Sequence, residues 1–131
     1  MLGRTELRRI AKSHLHDADV LLVGDRYDGA IYLCGYAVEL SLKARICRTL
    51  KWETFPMTAK EFEGLQSLKT HNLDLLLRLS GRGSQIRKTY EAEWATLAKW
   101  NPESRYIRTG ATSREEAEWF LESTRLVLRV L

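Results

Sequence analysis

The segment from Tyr27 to Leu50 constrains the fold more than any other part of the chain. On a helical wheel, at about 100° per residue, small side chains fall on one face and large aliphatic side chains on both of its flanks. A face of small residues permits close approach of a second helix, and aliphatic flanks need neighbours on several sides. We therefore predict a long central helix within a helical domain. Its small face is Ala30, Cys34, Ala37 and Ser41, and its flanks are Ile31, Val38 and Leu42 on one side and Leu33, Leu40 and Ala44 on the other.

A polar stripe follows the opposite face of the predicted helix. It comprises Asp25, Asp28, Tyr32, Tyr36, Glu39 and Lys43. Glu39 and Lys43 are spaced i,i+4, in the order that favours an ion pair worth roughly a few tenths of a kcal/mol when exposed. In a buried pair, loss of one partner costs about 3–5 kcal/mol. Two interpretations follow: a structural pair that ties the bundle together or lines a dimer seam, and a polar pocket for a nucleotide or small ligand.

The rest of the sequence also favours helices in one domain. Its 131 residues, 1–131, suffice for a single core, and two prolines with eight glycines leave little material for tight turns. No segment alternates apolar and polar residues, and no repeat or linker divides the chain. We predict an all-α, single-domain bundle. The further predicted helices run from about Thr5 to Val23, Thr58 to Leu68, Asn72 to Leu79, Ser84 to Trp100, and from a cap at Thr112 with Glu115 to Leu131.

The sequence predicts a protein without membrane spans or disulfides. No apolar run approaches the roughly 18 residues that a membrane span needs, and the N-terminus has no apolar signal core. Cys34 and Cys47 lie about 20 Å apart along the predicted helix, too far to pair. We expect a reducing, cytoplasmic setting and no membrane partner.

Three histidines are candidates for chemistry. His14 and His16 point about 200° apart on a helix and cannot share an ion, so we predict no metal site, and we expect no cofactor. His71 precedes a predicted helix, where its imidazole caps the helix or hydrogen-bonds a carboxylate; the alternative is a structural histidine that holds this junction. Phosphate-binding glycine loops, a nucleophile elbow and His-Glu-x-x-His are absent from the sequence.

The net charge of +4 is unevenly distributed. Between Arg78 and Arg114 there are eight Lys or Arg and three Glu, interleaved with Tyr90, Trp94, Trp100 and Tyr106. This segment is either a solvated basic face with core aromatics or a surface that binds phosphates and stacks bases.

Three stretches occur in an order that is typical of one known family. The first reads Arg26-Tyr27-Asp28-Gly29-Ala30 through Tyr36-Ala37-Val38-Glu39-Leu40-Ser41-Leu42-Lys43-Ala44. The second is Thr70-His71-Asn72-Leu73 with Leu76, and the third runs from Trp100 to Arg105-Tyr106. Together they resemble the HEPN domain (higher eukaryotes and prokaryotes nucleotide-binding), and the resemblance spans about Arg4 to Leu131.

The resemblance implies an up-and-down bundle of four to five helices and a homodimer. The family includes RNA-cleaving toxins, which often pair with a nucleotidyltransferase antitoxin, and non-catalytic nucleotide- or substrate-binding modules. Its ribonucleases carry an Arg followed after four to six residues by a His, because Arg stabilises a phosphorane and His moves a proton. Here no histidine follows Arg105, and the Arg9-x₄-His14 spacing lies in the first predicted helix, outside the C-terminal half. The missing motif argues against RNA cleavage of the family type.

The preferred hypothesis is a HEPN-like nucleotide- or RNA-binding module, one component of a toxin–antitoxin or defence pair. Its predicted ligand-binding residues are Glu39, Lys43, His71, Arg105 and Tyr106, of which Arg105 holds a phosphate, Tyr106 stacks or hydrogen-bonds, and Glu39 and Lys43 shape the pocket. One alternative is a divergent, metal-independent ribonuclease that uses Arg105 and His71. A second alternative is a non-catalytic dimerisation subunit.

Overall fold

Helices account for almost all regular structure in this chain. The structure is a computed structural model that describes residues 2–103 and 110–131. Its helices are α1 (Arg4–Val23), α2 (Tyr27–Leu50), α3 (Leu73–Ser80), α4 (Gly83–Thr89), α5 (Glu91–Leu97) and α6 (Arg114–Val130). Two short antiparallel strands, β1 (Leu2–Gly3) and β2 (Thr54–Phe55), pair Leu2 with Phe55. The all-α class and the helical bundle are confirmed.

Helix α2 lies at the centre of the bundle, as its sequence predicts. It packs against α1, α3 and α6. All four small residues of the predicted face are buried, as are Val38 and Leu42 on one flank. Because small side chains let neighbouring helices approach closely, α2 buries more of its circumference than an amphipathic surface helix does.

The segment 58–68 is not the α-helix that its capping box predicts. Both capping contacts form: Glu61 N donates to Thr58 Oγ1 at 3.2 Å, and Met57 N donates to Glu61 Oε2 at 2.9 Å. The chain then makes turns and one 3₁₀ turn at Gln66–Leu68. Gly64 has a φ of +78°, which no α-helical residue adopts, so the prediction of a helix was wrong here.

The predicted helix from Ser84 to Trp100 is divided into α4 and α5. Tyr90 separates them with φ −124° and ψ 46°, outside the helical region. The break lets Ile86 and Trp94 both reach the core. It also raises the number of described helices to six, above the four to five that the family resemblance implies.

The ends of two other helices are set by local chemistry. Asn72 Oδ1 accepts a hydrogen bond from Leu75 N at 3.1 Å and caps α3, close to the predicted start. Ser113, and not the predicted Thr112, caps α6, because Ser113 Oγ accepts from Glu116 N at 3.1 Å. In the described part of the chain, no helix is long and apolar enough to cross a membrane.

Candidate functional site

A buried carboxylate links α2 to the chain segment that precedes α3. Glu39 is only 3% exposed and uses both of its oxygens. Its Oε2 accepts from Lys43 Nζ at 3.1 Å, and its Oε1 lies 2.6 Å from His71 Nδ1. The structure therefore brings together three of the residues that the sequence singled out, two of them on one helix turn and the third 32 positions away.

The backbone around His71 holds its ring in place. Thr70 Oγ1 accepts a hydrogen bond from Asn72 N at 3.0 Å, and Asn72 in turn caps α3. These contacts fix the turn that carries His71 toward α2. The His71 side chain is 56% exposed even though its partner carboxylate is buried. One edge of the imidazole is thus anchored while the rest of the ring faces solvent.

Lys43 compensates the buried carboxylate and has little room for another role. Its side chain is 12% exposed. Besides the contact with Glu39, the ammonium lies 5.4 Å from the centroid of the Phe55 ring, a cation–π distance. We conclude that Lys43 mainly stabilises the negative charge of Glu39 and shapes the floor of the site.

Aromatic rings surround Tyr36 beside this carboxylate. Its ring makes edge contacts with Tyr32 at 5.1 Å, Trp100 at 5.0 Å, His71 at 6.2 Å and His14 at 6.5 Å, measured between centroids. Such T-shaped pairs stabilise a cluster through the ring quadrupoles. His14, which the sequence excluded only as a metal ligand, is thus a neighbour of the site. Its signal was hidden, because it lies on another helix than the stripe.

Gly35 makes room for one of these rings. A Cβ built at Gly35 would lie 1.9–2.1 Å from atoms of the Trp100 indole. Real Cβ contacts are never that short, so only glycine allows Trp100 to lie flat against α2. Trp100 is 6% exposed, and its Nε1 has no acceptor among the described residues.

The segment that follows Trp100 is flanked by two contacts with α2. Trp100 packs on Gly35 and Tyr36, and Gly110 N donates to Asp28 Oδ2 at 2.7 Å. That hydrogen bond is the main reason why the pKa of Asp28 is lowered, with a further contribution from the Thr112 hydroxyl. The predicted ligand-binding residues Arg105 and Tyr106 lie outside the described residues, so their roles stay predictions.

The basic segment 78–114 is not a continuous free cationic face. Of its six described Lys or Arg residues, four are bound within the chain. Arg78 and Arg87 contact Asp74, Arg82 donates to the Val130 carbonyl, and Arg114 contacts Asp25 and Glu118. The acids that compensate this segment come from other helices, which a count along the sequence does not reveal.

Neither metal nor thiol chemistry has a candidate in the described residues. These residues contain no group of three or more His, Cys, Asp or Glu arranged to hold an ion. Cys34 and Cys47 are both free and buried. Burial raises the pKa of the Cys34 thiol to about 12. A thiol with so high a pKa is a poor nucleophile at neutral pH.

Comparison with known proteins places part of the chain in a family. Residues 5–60 match the HEPN domain family. The match contains α1, α2 and β2, and thus Glu39 and Lys43, whereas His71 lies beyond it. The resemblance inferred from the sequence is confirmed over this range. No match was found among curated proteins or among solved structures.

Proposed function

We propose that this HEPN domain binds a nucleotide or a short stretch of RNA at the surface where His71 meets Tyr36, and that it acts as a binding module. One observation carries the proposal: a buried carboxylate holds the Nδ1 edge of a half-exposed imidazole at 2.6 Å. A histidine that only filled space would not need a carboxylate that is itself 3% exposed.

The chemistry of this pair suits phosphate recognition. A carboxylate on Nδ1 fixes the orientation of the ring and directs Nε2 outward. Nε2 makes no hydrogen bond to another described residue, so it is available to donate to a phosphate or ribose oxygen. A hydrogen bond that involves a charged group is worth about 1.5–3 kcal/mol, enough for a tenfold or larger effect on affinity.

The neighbouring rings supply the apolar part of a nucleotide site. Tyr32 and Tyr36 are partly exposed along the same stripe of α2, and base–aromatic stacking is worth about 1–3 kcal/mol per base. In this proposal Glu39 and Lys43 do not touch the ligand; they hold His71. Arg105 and Tyr106, predicted from the sequence to hold a phosphate and to stack, complete the set.

Binding is tested by titrating fluorescent nucleotides and a labelled 8-nucleotide single-stranded RNA into the purified chain. We expect His71→Ala to weaken binding about tenfold or more. His16→Ala is the matched control, because His16 is an exposed histidine on α1 with no such carboxylate partner among the described residues. Equal affinities for the two variants would contradict the proposal.

A second candidate function is a divergent, metal-independent ribonuclease. The Glu39–His71 pair favours it, because a carboxylate-held imidazole is a common proton carrier in catalysis. Labelled RNA is incubated with the chain in excess EDTA, alongside His71→Ala, Arg105→Ala and the His16→Ala control. Cleavage by the wild type and the control, but by neither of the other variants, would establish the enzyme. No cleavage by the wild type leaves the binding module.

The proposed partners follow from the family. We propose that the chain works as one component of a toxin–antitoxin or defence pair, with a nucleotidyltransferase as antitoxin. An adjacent gene that encodes such a protein, and its co-purification with this chain, would support the pairing.

A further inference from the structure

Five arginines gather at the end of the bundle where α2 and α6 finish. They are Arg4 and Arg8 on α1, Arg45 and Arg48 on α2, and Arg82 just before α4. We call them the arginine cluster. The sequence analysis did not find it, because its members come from three separate parts of the chain and only Arg82 belongs to the basic segment.

The cluster is held close together despite its like charges. Burial lowers the pKa of Arg8, and the neighbouring charges of Arg48 and Arg4 lower it further. Burial likewise lowers the pKa of Arg45, followed by the charges of Arg82, Arg48 and Arg8. In addition, the buried Nε of Arg45 has no hydrogen-bond partner among the described residues.

Internal contacts neutralise only part of this charge. Arg8 donates to the Leu131 carbonyl at 2.9 Å, and Arg82 donates to the Val130 carbonyl at 3.1 Å. A helix C-terminus carries about half a negative charge, so the ends of α2 and α6 offset roughly one of the positive charges. Arg4, Arg45 and Arg48 form no ion pair with any described carboxylate.

A cleft opens beside the cluster. Its volume is about 640 Å³, within the roughly 300–1,000 Å³ that ligand sites occupy. Arg4, Arg48, Lys51 and Trp52 line it, together with Glu6 and Glu53. Glu6 is already bound to Arg9 at 2.6 Å, so the cations predominate in the cleft.

We propose that this cleft is a second binding site, which holds the phosphates of a single-stranded nucleic acid. Arg4, Arg48 and Lys51 are exposed and supply the cations, and the partly exposed Trp52 offers a ring on which a base stacks. Cations interleaved with an aromatic ring are the arrangement that single-strand binders use. An acidic protein surface would use the cations but would leave the tryptophan without a role.

The site is independent of the one at His71. Glu39 and Arg48 are nine residues apart on α2, which places them about half a turn round the helix and ~14 Å along its axis. A strand bound at the cleft therefore does not compete with a nucleotide at His71. Failure of one proposal leaves the other standing.

The test measures binding of a fluorescein-labelled 12-nucleotide single-stranded RNA by polarisation, between 50 and 300 mM salt. The double variant Arg4→Gln/Arg48→Gln is compared with Arg9→Gln/Arg129→Gln, which removes two exposed arginines elsewhere and has the same net charge. Each phosphate contact with a single strand contributes about 0.7 to the slope of log affinity against log salt. We expect the first variant to lose about 1.4 from that slope and roughly tenfold or more in affinity at 100 mM salt.

Further arms separate the explanations. Arg4→Lys/Arg48→Lys keeps the charge and should retain most of the slope, and thermal unfolding verifies that each variant is folded. Trp52→Ala should weaken RNA binding and leave the slope unchanged. Equal slopes for the two Gln variants would overturn the proposal, as would labelled poly-glutamate binding as tightly as the RNA with the same dependence on Arg4 and Arg48. His71→Ala should leave the slope difference between the two Gln variants intact.

Discussion

Glu39 is the residue on which the candidate site depends. It is a carboxylate buried among aliphatic and aromatic side chains, and it is tolerated there because Lys43 and His71 contact its two oxygens. All of these contacts lie within one chain. The pair therefore ties the bundle together, as one of the interpretations from the sequence holds, and Glu39 does not need a dimer seam to satisfy it.

We predict that Glu39→Gln lowers the free energy of unfolding by about 3 kcal/mol at neutral pH, because it leaves the Lys43 ammonium, 12% exposed, without its carboxylate. Chemical denaturation measures the change. Lys43→Met removes the stranded charge and keeps an apolar stem near Phe55, so the double variant should lose less than the two single variants combined. Glu6→Gln, in an exposed pair with Arg9, should cost below about 1 kcal/mol. A similar small loss for Glu39→Gln would contradict the buried-pair interpretation.

At the scale of elements, Asp74 organises the region where the sequence prediction of a single helix was wrong. It lies in the first turn of α3, and its Oδ1 accepts from Trp94 Nε1 at 3.1 Å and from Arg87 at 2.7 Å. It thereby joins α3 to both α4 and α5. Those hydrogen bonds, that to Trp94 first and that to Arg87 second, lower the pKa of Asp74.

We predict that Asp74→Asn destabilises the fold in a pH-dependent way. Because the folded pKa lies below the ordinary value of 3.8, the contribution is complete above that value and is lost as the pH falls through the folded pKa. The side chain is 42% exposed, so solvent screening limits the effect to about 1 kcal/mol or less. Urea unfolding of both proteins at pH 6 and at pH 2.5 measures it. A difference that is the same at both pH values would show that the charge of Asp74 contributes nothing.

The elements differ in how far the sequence predicts them. The bounds of α1 and α2 agree with the prediction within about one residue, because long amphipathic or small-faced patterns repeat over five turns or more. The shorter segments were less predictable. A capping box forms at Thr58 without a helix behind it, and Tyr90 interrupts a pattern that would suit one continuous helix. In both places a contact or a single left-handed glycine outweighs local preference.

At the scale of the whole molecule, the surface still carries exposed apolar side chains. Val20 and Val23, one turn apart near the end of α1, are 59% and 81% exposed. Neighbouring exposed aliphatic residues are typical of interaction surfaces. The family resemblance implies a homodimer, and this patch is where we expect the second copy to contact the first.

We predict a particle of twice the 15.2 kDa chain mass in sedimentation equilibrium. Val20→Lys/Val23→Lys should weaken the dimer at least tenfold, because two charges would be desolvated in the interface. Met57→Lys, at an exposed apolar residue in another region, serves as the control and should leave the mass unchanged. A monomeric wild type, or a dimer that is insensitive to the valine variants, would contradict this prediction.

The sequence by itself determined the all-α class, the two long helices, the Glu39–Lys43 pair and the HEPN resemblance. Each of these depends on residues that are close in the chain, and helical geometry converts their spacing directly into a shared face. Only the tertiary structure decided that His71 completes the carboxylate site, that Tyr36 lies among rings from three other parts of the chain, and that five arginines converge at one end of the bundle. Those contacts join residues on different helices, and they form only when burial of the apolar faces brings the helices together.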